Sequence, residues 1–173
     1  MLNGEYGALN GLAYQLGIID HYQYWLQDPG NQLLWTSVAQ AWTRYAFVML
    51  VLLAGLQSIP TAIYEAAKLD GAGPLTSFRK ITLPHLLPSL AIVLAIEFIA
   101  SVQIFDLVWS ITAGGGAGGQ INPFTKVLMI ENYEVVFRSL QIGLGSAISY
   151  LILLVSMAGA VFFVRYLYNR ASL

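Results

Sequence analysis

The residues of this chain that could make specific contacts concentrate in one polar stretch between two long apolar runs. The stretch covers residues 57–84 and holds three of the eight Lys and Arg residues. Its central part reads Glu65-Ala66-Ala67-Lys68-Leu69-Asp70-Gly71-Ala72, and Ile81-Thr82-Leu83-Pro84 follows. No residue in the chain points to bond-making chemistry, and no phosphate-binding Gly-rich loop ending in Lys-Ser or Lys-Thr is present. The stretch therefore predicts a contact surface, and the chain itself is not predicted to be an ATPase or another enzyme.

The turn residues of this stretch predict two short helices joined at a rigid corner. Pro60 suits the first position of a helix of about three turns, and Gly71 suits the left-handed cap at its end. A second short helix is expected from Pro74. Asp70 lies near carbonyl groups at the end of the first helix, so we expect its carboxylate to turn towards the free N–H groups of the second. The small side chains of Ala66-Ala67 keep one surface of the first helix free of bulky groups, so that this surface can fit into a groove on another protein.

A few polar residues lie inside the apolar runs themselves. Gln40 and Arg44 are four residues apart and share one helical face. An arginine near the middle of a span costs ~2.5–3.5 kcal/mol even on lenient insertion scales, so this face should meet water or protein. Glu97, in the next run, needs a partner or must be protonated. We therefore expect Arg44 to be a partner for Glu97.

Two interpretations of these polar residues remain open. Polar groups beside an aromatic face are typical of sites that hold hydroxyl-rich ligands, and the lining of such a path would comprise Gln40, Arg44, Glu97, Gln103, Asp106 and Trp109. Hydrogen bonding and packing between helices explain the same pattern without any ligand.

The composition predicts an all-α membrane protein with three transmembrane helices. Hydrophobic residues make up 57% of the chain, charged residues only 10%, and the mean hydropathy is +0.66. Soluble domains carry about 25% charged residues, and about 20 apolar residues are enough to cross a bilayer. The predicted segments are an external interfacial segment (1–32), a transmembrane helix (33–56), a cytoplasmic loop (57–84), a transmembrane helix (85–111), an external Gly-rich loop with a short helix (112–141), a transmembrane helix (142–168) and a cytoplasmic tail (169–173).

Patterns within these segments give finer expectations. The external segment has apolar residues at helical spacing and predicts a helix in the membrane interface: Leu9, Leu12, Leu16 and Ile19. The third span has small residues four apart, which predict close helix packing: Gly145 with Ser149, and Ser156 with Ala160. The sequence also predicts a flexible link over 113–120 and a short external helix within 123–140.

Several function classes are disfavoured by composition. The chain has no Cys and only two His, with no His/Glu pair at ligand spacing, so neither disulfides nor a metal site is predicted. The formal net charge is −1, which gives no reason to expect binding to nucleic acid. No cofactor is predicted.

The distribution of basic residues predicts the orientation in the membrane. Positively charged residues near span ends favour the cytoplasmic side. Only Lys126 and Arg138 lie in the loops on one side. The other side holds Lys68, Arg79, Lys80, Arg165 and Arg170. We therefore place the polar stretch and the C-terminus in the cytoplasm and the N-terminal segment outside.

The central motif carries a resemblance to a known family. Glu65-Ala66-Ala67, three residues, Gly71, nine residues and then Ile81-x-Leu83-Pro84 resembles the EAA loop of inner-membrane permeases of binding-protein-dependent ABC importers. The longer string that begins at Ala54 and includes Pro60 is similar to the carbohydrate-uptake branch, which handles maltose-like sugars and glycerol phosphate. The resemblance covers nearly the whole chain and corresponds to the C-terminal portion of such permeases.

The resemblance implies a function and a set of partners. In this family the loop is a coupling helix that docks onto a cytoplasmic ATP-binding subunit dimer, and the docking residues would be Glu65, Ala66, Ala67, Asp70, Gly71 and Ala72. A second permease subunit would complete the translocation path, and an external solute-binding protein would deliver the substrate. Closure of the ATP-binding subunits would then switch the path between outward and inward access.

Other functions are compatible with the same residues. A fragment that lacks upstream spans, or a small membrane protein that serves as a scaffold for another cytoplasmic partner, would also carry an exposed loop. A permease for amino acids, peptides or phosphate is a third possibility. Nearby genes for a binding protein, a second permease and an ATPase would favour the importer over the scaffold.

Overall fold

Helices make up the regular structure of the described part of the chain, which in this computed structural model comprises residues 4–5, 7–25, 29–112 and 126–171. Two π-helical turns, Phe78–Thr82 and Glu134–Arg138, follow α4 and α7. The helices are α1 (Ala8–Gln15), α2 (Pro29–Gln57), α3 (Thr61–Leu69), α4 (Pro74–Ser77), α5 (Leu83–Val102), α6 (Asp106–Thr112), α7 (Leu128–Tyr133) and α8 (Ile142–Ala171). The predicted all-α class is confirmed. The predicted link over 113–120 lies outside the described residues.

Three stretches of helix among the described residues are long and apolar enough to cross a membrane. They are Gln32–Gln57, Pro74–Val102 and Ile142–Leu167. At most 17% of the most apolar window of each is buried. Large apolar side chains such as Leu50 and Leu153 are therefore exposed, as contact with lipid requires. The first and third stretches agree closely with the predicted spans.

The second long helix differs from the predicted span 85–111 at both ends. It begins at Pro74, because the π turn Phe78–Thr82 joins α4 to α5 without a break. It ends at Val102, and Gln103 has φ −97° and ψ 14°. The end was missed because the apolar run continues to residue 111 with no Gly or Pro to mark a stop.

Aromatic packing accounts for the separate helix α6 that follows. The ring of Phe105 stacks on that of Trp109, with centroids 5.4 Å apart and an interplanar angle of 19°. Tyr133 in α7 contacts both rings, at 5.4 Å from Phe105 and 4.9 Å from Trp109. These contacts join residues distant in sequence, so no local pattern announces them.

The chain divides into two units, of which the first comprises Met1–Thr43 and Ile104–Ser146. Its N-terminal part is organised by Asn10, whose side chain is fully buried. The amide Nδ2 of Asn10 donates to the carbonyl oxygens of Gly4 (3.0 Å) and Gln23 (2.9 Å), and Trp25 Nε1 donates to its Oδ1 at 2.7 Å. A buried amide with these partners fixes the loop that follows α1.

The predicted interfacial helix is shorter than its apolar stripe. α1 ends at Gln15, and Gly17 turns the chain with φ 67°. The N–H of Gly17 donates to Tyr14 and that of Ile18 to Ala13, which satisfies the last carbonyls of the helix. Ile19 therefore lies beyond the helix and does not extend its apolar face. The prediction had continued the helical spacing through Gly17, which ends the helix instead.

The second unit comprises Arg44–Gln103 and Ala147–Leu173 and depends on small residues for close packing. A Cβ at Gly55 would lie 2.6 Å from Ser89 Oγ, and one at Gly159 would collide with the ring of Phe98. Ser156 is buried, as the small-residue pattern predicts. The close packing at Gly159 was not predicted, because the predicted small-residue pair was Ser156 with Ala160 and Gly159 lies between them.

Candidate functional site

The polar stretch folds as two short helices joined at a corner; we call Thr61–Ser77 the elbow. Pro60 has φ −61° and ψ 135° and caps α3 from outside, so it precedes the first helical position that was predicted for it. Ile63 and Tyr64 are half buried, whereas Glu65 and Ala66 are exposed. α3 thus holds one side against its own unit and presents the other outward.

The corner of the elbow is built by Gly71. Its φ of 77° lies in the left-handed region that glycine adopts without strain. The N–H of Gly71 donates to the carbonyl of Lys68 at 3.1 Å, and the N–H of Ala72 donates to that of Ala67 at 2.9 Å. This pair of bonds is a Schellman motif, and it confirms the predicted cap.

The second arm of the elbow begins as predicted, but Asp70 behaves differently. α4 starts at Pro74, and Gly73 is its N-cap with φ −74°. The carboxylate of Asp70 is exposed and makes no hydrogen bond within the described residues, so the predicted contact with α4 is wrong. The backbone bonds at Gly71 already fix the corner, and the carboxylate stays in solvent.

The predicted docking residues fall on two sides of the elbow. Glu65, Ala66, Asp70 and Gly71 are exposed. Positions 62, 65, 66 and 69 follow helical spacing, so they form one outward face of α3. Ala67 and Ala72 are half buried, and their backbone groups bond to each other. Four of the six predicted docking residues are thus exposed on the surface, and the two half-buried alanines form part of the corner.

Leu69 is a residue of this face that sequence reasoning missed. It is 90% exposed and occupies the last turn of α3 beside Asp70. Leu75 in the second arm is 66% exposed. Large apolar side chains at the tip of a polar loop suit contact with another protein. The available signal was an isolated leucine within the polar stretch 57–84, but the sequence alone does not show whether its side chain is exposed.

Arg44 and Glu97 form the ion pair that the sequence suggested. Arg44 Nε lies 3.5 Å from Glu97 Oε2, and the side chains are 39% and 21% exposed. Both residues belong to the second unit. Arg44 Nε and Glu97 Oε1 are buried and have no hydrogen-bond partner among the residues that the structure describes. The pair neutralises two charges inside apolar helices but leaves hydrogen-bonding capacity unused.

The other predicted path residues have separate surroundings. Gln103 is exposed and caps the end of α5. Asp106 is exposed in the first turn of α6, where a negative charge favours the helix. Trp109 is half buried and packs on Phe105, so packing accounts for much of its surface. Gln40 is half buried on α2.

A cluster of charges lies on the helix that follows residue 126, outside the long apolar helices. Lys126 Nζ lies 2.6 Å from a carboxylate oxygen of Glu131 and 2.6 Å from one of Glu134. Arg138 reaches Glu134 at 3.2 Å. Hydrogen bonds to Glu131 and Glu134 raise the pKa of Lys126 above its ordinary value. This short charged helix lies within the predicted segment 123–140.

Several known proteins are similar to this chain in sequence. The trehalose/maltose transport system permease protein MalF of Thermococcus litoralis is 34% identical over 165 residues, which are 95% of this chain and 53% of that protein. The sulfoquinovosyl glycerol transport system permease protein SmoG of Agrobacterium fabrum is 35% identical over 161 residues, or 93% of this chain and 50% of that protein. The chain thus spans about half the length of these relatives.

A solved structure supports the same fold. A chain in the crystal structure of a bacterial ABC transporter involved in the import of the acidic polysaccharide alginate superposes with a TM-score of 0.77 at 21% identity. The superposition covers 97% of this chain and 57% of that chain. A family model described as the inner membrane component of binding-protein-dependent transport systems matches residues 8–172. This chain is therefore a multi-pass membrane protein that belongs to the family of binding-protein-dependent transport system inner membrane components.

Proposed function

We propose that this chain forms part of the membrane path of an ATP-driven importer and that its elbow docks onto a cytoplasmic ATP-binding subunit. The observation that carries the proposal is the outward face of α3, where Glu65, Ala66 and Leu69 are exposed beside a corner fixed by Gly71. Such a face offers a low alanine surface, one apolar anchor and a carboxylate on a rigid support. A partner that binds this face and then moves would displace the membrane helices attached to the elbow.

The proposed mechanism contains no bond-making step in this chain. Two ATP-binding subunits would close on nucleotide, move the elbow and thereby shift the membrane helices between outward and inward access. A second permease subunit would supply the other wall of the path, and an external solute-binding protein would deliver the solute. The family is a membrane component of transport systems, and we assign ATP hydrolysis to the proposed partner.

The proposed solute class is a sugar or a sugar-like molecule. The named relatives belong to trehalose/maltose and sulfoquinovosyl glycerol transport systems, which supports this class. On the path side we propose Gln40, Arg44, Glu97, Gln103, Asp106 and Trp109 as lining residues. The side chains of Arg44 and Glu97 are 39% and 21% exposed, so part of each charged group is accessible to a hydroxyl group.

Cross-linking tests the docking proposal directly. The chain has no cysteine, so Ala66→Cys and Leu69→Cys each introduce the single thiol of the chain. In the assembled transporter, a short thiol-to-amine cross-linker should join both variants to the ATP-binding subunit. Tyr150→Cys, at an exposed position on α8, is the matched control and should give no such product. Failure to capture the ATP-binding subunit would refute docking. Capture of a different cytoplasmic protein would in addition favour the scaffold function.

Labelling from either side of the membrane tests the proposed orientation. The elbow would be cytoplasmic, and Ser139, an exposed residue after the second π turn, would be external. A membrane-impermeant maleimide should label Ser139→Cys in right-side-out vesicles and Ala66→Cys in inverted ones. The reverse pattern would overturn the orientation and the docking proposal together.

A further inference from the structure

A hydrogen bond ties the elbow to the base of the second long helix. The hydroxyl groups of Tyr64 in α3 and Thr82 in the π turn lie 2.9 Å apart, and the bond is partly buried. The two residues are 18 positions apart in sequence. Tyr64 directly precedes the exposed Glu65 and Ala66, so the bond originates on the back of the proposed docking face.

The Thr82 hydroxyl is used differently from three other helical hydroxyls among the described residues. Thr36, Ser37 and Ser146 each donate to the backbone carbonyl four residues earlier in their own helix. Such bonds are the usual outcome for Ser and Thr inside helices. Thr82 instead bonds across to a second helix. A bond of this kind restrains the angle between the two helices, which bonds within one helix cannot do.

The helix beyond Thr82 lacks two backbone hydrogen-bond donors near its start. Pro84 and Pro88 have no N–H to donate, and the ring of Pro88 crowds the carbonyl of Pro84. The π turn precedes them, and the Nδ1–H of His85 donates to the carbonyl oxygen of Ile81 at 2.8 Å. π turns and prolines are the places where long helices bend. The bond at Thr82 is therefore on the elbow side of a helix segment that bends easily.

We propose that the Tyr64–Thr82 hydrogen bond is a strut that makes the elbow and the π turn move as one body. The proposal rests on the function proposed above. Displacement of α3 by the ATP-binding subunit is then transmitted to the second long helix and not lost as rotation of α3 about the corner at Gly71. Bending occurs further along, between Pro84 and Pro88. Tyr64 and Thr82 are positioning residues, since neither faces the partner.

The test measures coupling in the complete transporter with its binding protein, reconstituted in lipid vesicles. Tyr64→Phe and Thr82→Val remove one hydroxyl each with little change in shape, and Thr82→Ser keeps the hydroxyl. Tyr150→Phe and Ser101→Ala are controls that also remove one hydroxyl each, because these side chains are exposed, lie outside the elbow and make no hydrogen bond within the described residues. The readouts are solute imported per ATP hydrolysed and the amount of ATP-binding subunit that co-purifies.

We expect Tyr64→Phe and Thr82→Val to lower the ratio of import to hydrolysis by about fivefold, the population change that one partly buried hydrogen bond supports. The double variant should resemble either single variant, because both remove the same bond. Thr82→Ser and the controls should keep the normal ratio, and co-purification should be unchanged throughout.

Two results would overturn the strut. One is a normal ratio in Tyr64→Phe and Thr82→Val; the other is a double variant whose loss is the product of the single losses. Failure of the proposed docking gives a different result, because the unmodified chain would then not retain the ATP-binding subunit at all.

Discussion

Replacing Gly71 with proline is the sharpest perturbation of the corner. Proline holds φ near −65°, whereas Gly71 has a φ of 77°. The substitution also removes the N–H that donates to the carbonyl of Lys68 at 3.1 Å. The preceding residue Asp70 has φ −75° and ψ 3°, a conformation that a following proline disfavours. Three local requirements are thus broken at once, and the corner cannot keep its geometry.

The expected magnitude follows from these losses. Proline in a position that it cannot adopt costs ~3 kcal/mol or more, which lowers the population of the native corner roughly a hundredfold. Gly71→Ala should cost only ~1–2 kcal/mol, the penalty for a side chain in the left-handed region. Apart from its chain neighbours, no heavy atom of the described residues lies within 4 Å of a Cβ built on Gly71, so steric contact adds nothing. Gly71→Asn should be milder still, because asparagine tolerates this conformation.

The assay is solute uptake and stimulation of ATP hydrolysis in the assembled transporter, with membrane insertion measured in parallel. Gly71→Pro should abolish uptake and stimulation while insertion stays normal, with Gly71→Ala intermediate. Gly73→Ala is the matched control, since Gly73 has a φ of −74° and no atom within 4 Å of its built Cβ. Normal uptake by Gly71→Pro would refute the role of the corner in coupling.

Three further perturbations test the rest of the structure. Gly159→Val places a side chain against the ring of Phe98 and should lower the free energy of unfolding by ~1–3 kcal/mol, measured by thermal unfolding in detergent. Glu97→Gln leaves Arg44 without its charge partner and should destabilise by ~1–3 kcal/mol, below the value for a fully buried pair because Arg44 is 39% exposed. The pKa of Lys126 is raised above 10.5, so its ion-pair stabilisation is fully present below pH 10.5 and is lost as pH rises through the raised pKa. Competitive acylation should modify Lys126 slowly, because only the deprotonated amine reacts.

Controls for these perturbations come from the same chain. Gly143→Val should be tolerated, because outside its own helix backbone and chain neighbours no atom in the described part of the chain lies within 4 Å of a Cβ at Gly143. The exchange Arg44→Glu with Glu97→Arg should recover part of the lost stability, and its failure to do so would contradict a charge-based role. Lys80 is exposed and has no ion pair within the described residues, so acylation of Lys126 at the same rate as Lys80 would contradict the raised pKa.

Local turn chemistry was readable from the sequence. Gly71 and Pro74 were predicted at the end of one short helix and the start of the next, and both are found there. Each depends only on backbone conformation and on bonds to residues a few positions away. The pairing of Arg44 with Glu97 was also predictable, because an isolated charge within an apolar helix is too costly to persist.

Features that depend on distant contacts were not readable in this way. The end of the second long helix at Val102 escaped notice because the contacts that favour α6 come from Tyr133, 31 positions further along the chain. Asn10 gave no signal either, since a buried asparagine and a surface one look alike in sequence. Leu69 was missed for the same reason, because the exposure of an apolar side chain is visible only once the fold is known.

Under the proposed function, the EAA-like motif alone would not be sufficient for coupling, and the Tyr64–Thr82 bond supplies a feature that it lacks. The motif residues lie on the outward face of α3 and at the corner, where they would contact a partner. Force applied there would move the membrane helices only if α3 cannot rotate relative to them. The corner at Gly71 fixes the backbone over a few residues, and a rotation of α3 about it would still be possible without a second point of attachment. The hydroxyl pair supplies that second point at 2.9 Å. The outward-facing motif residues thus need a residue on the inner side of α3 that attaches this helix to the second long helix. Tyr64 is positioned to make that attachment.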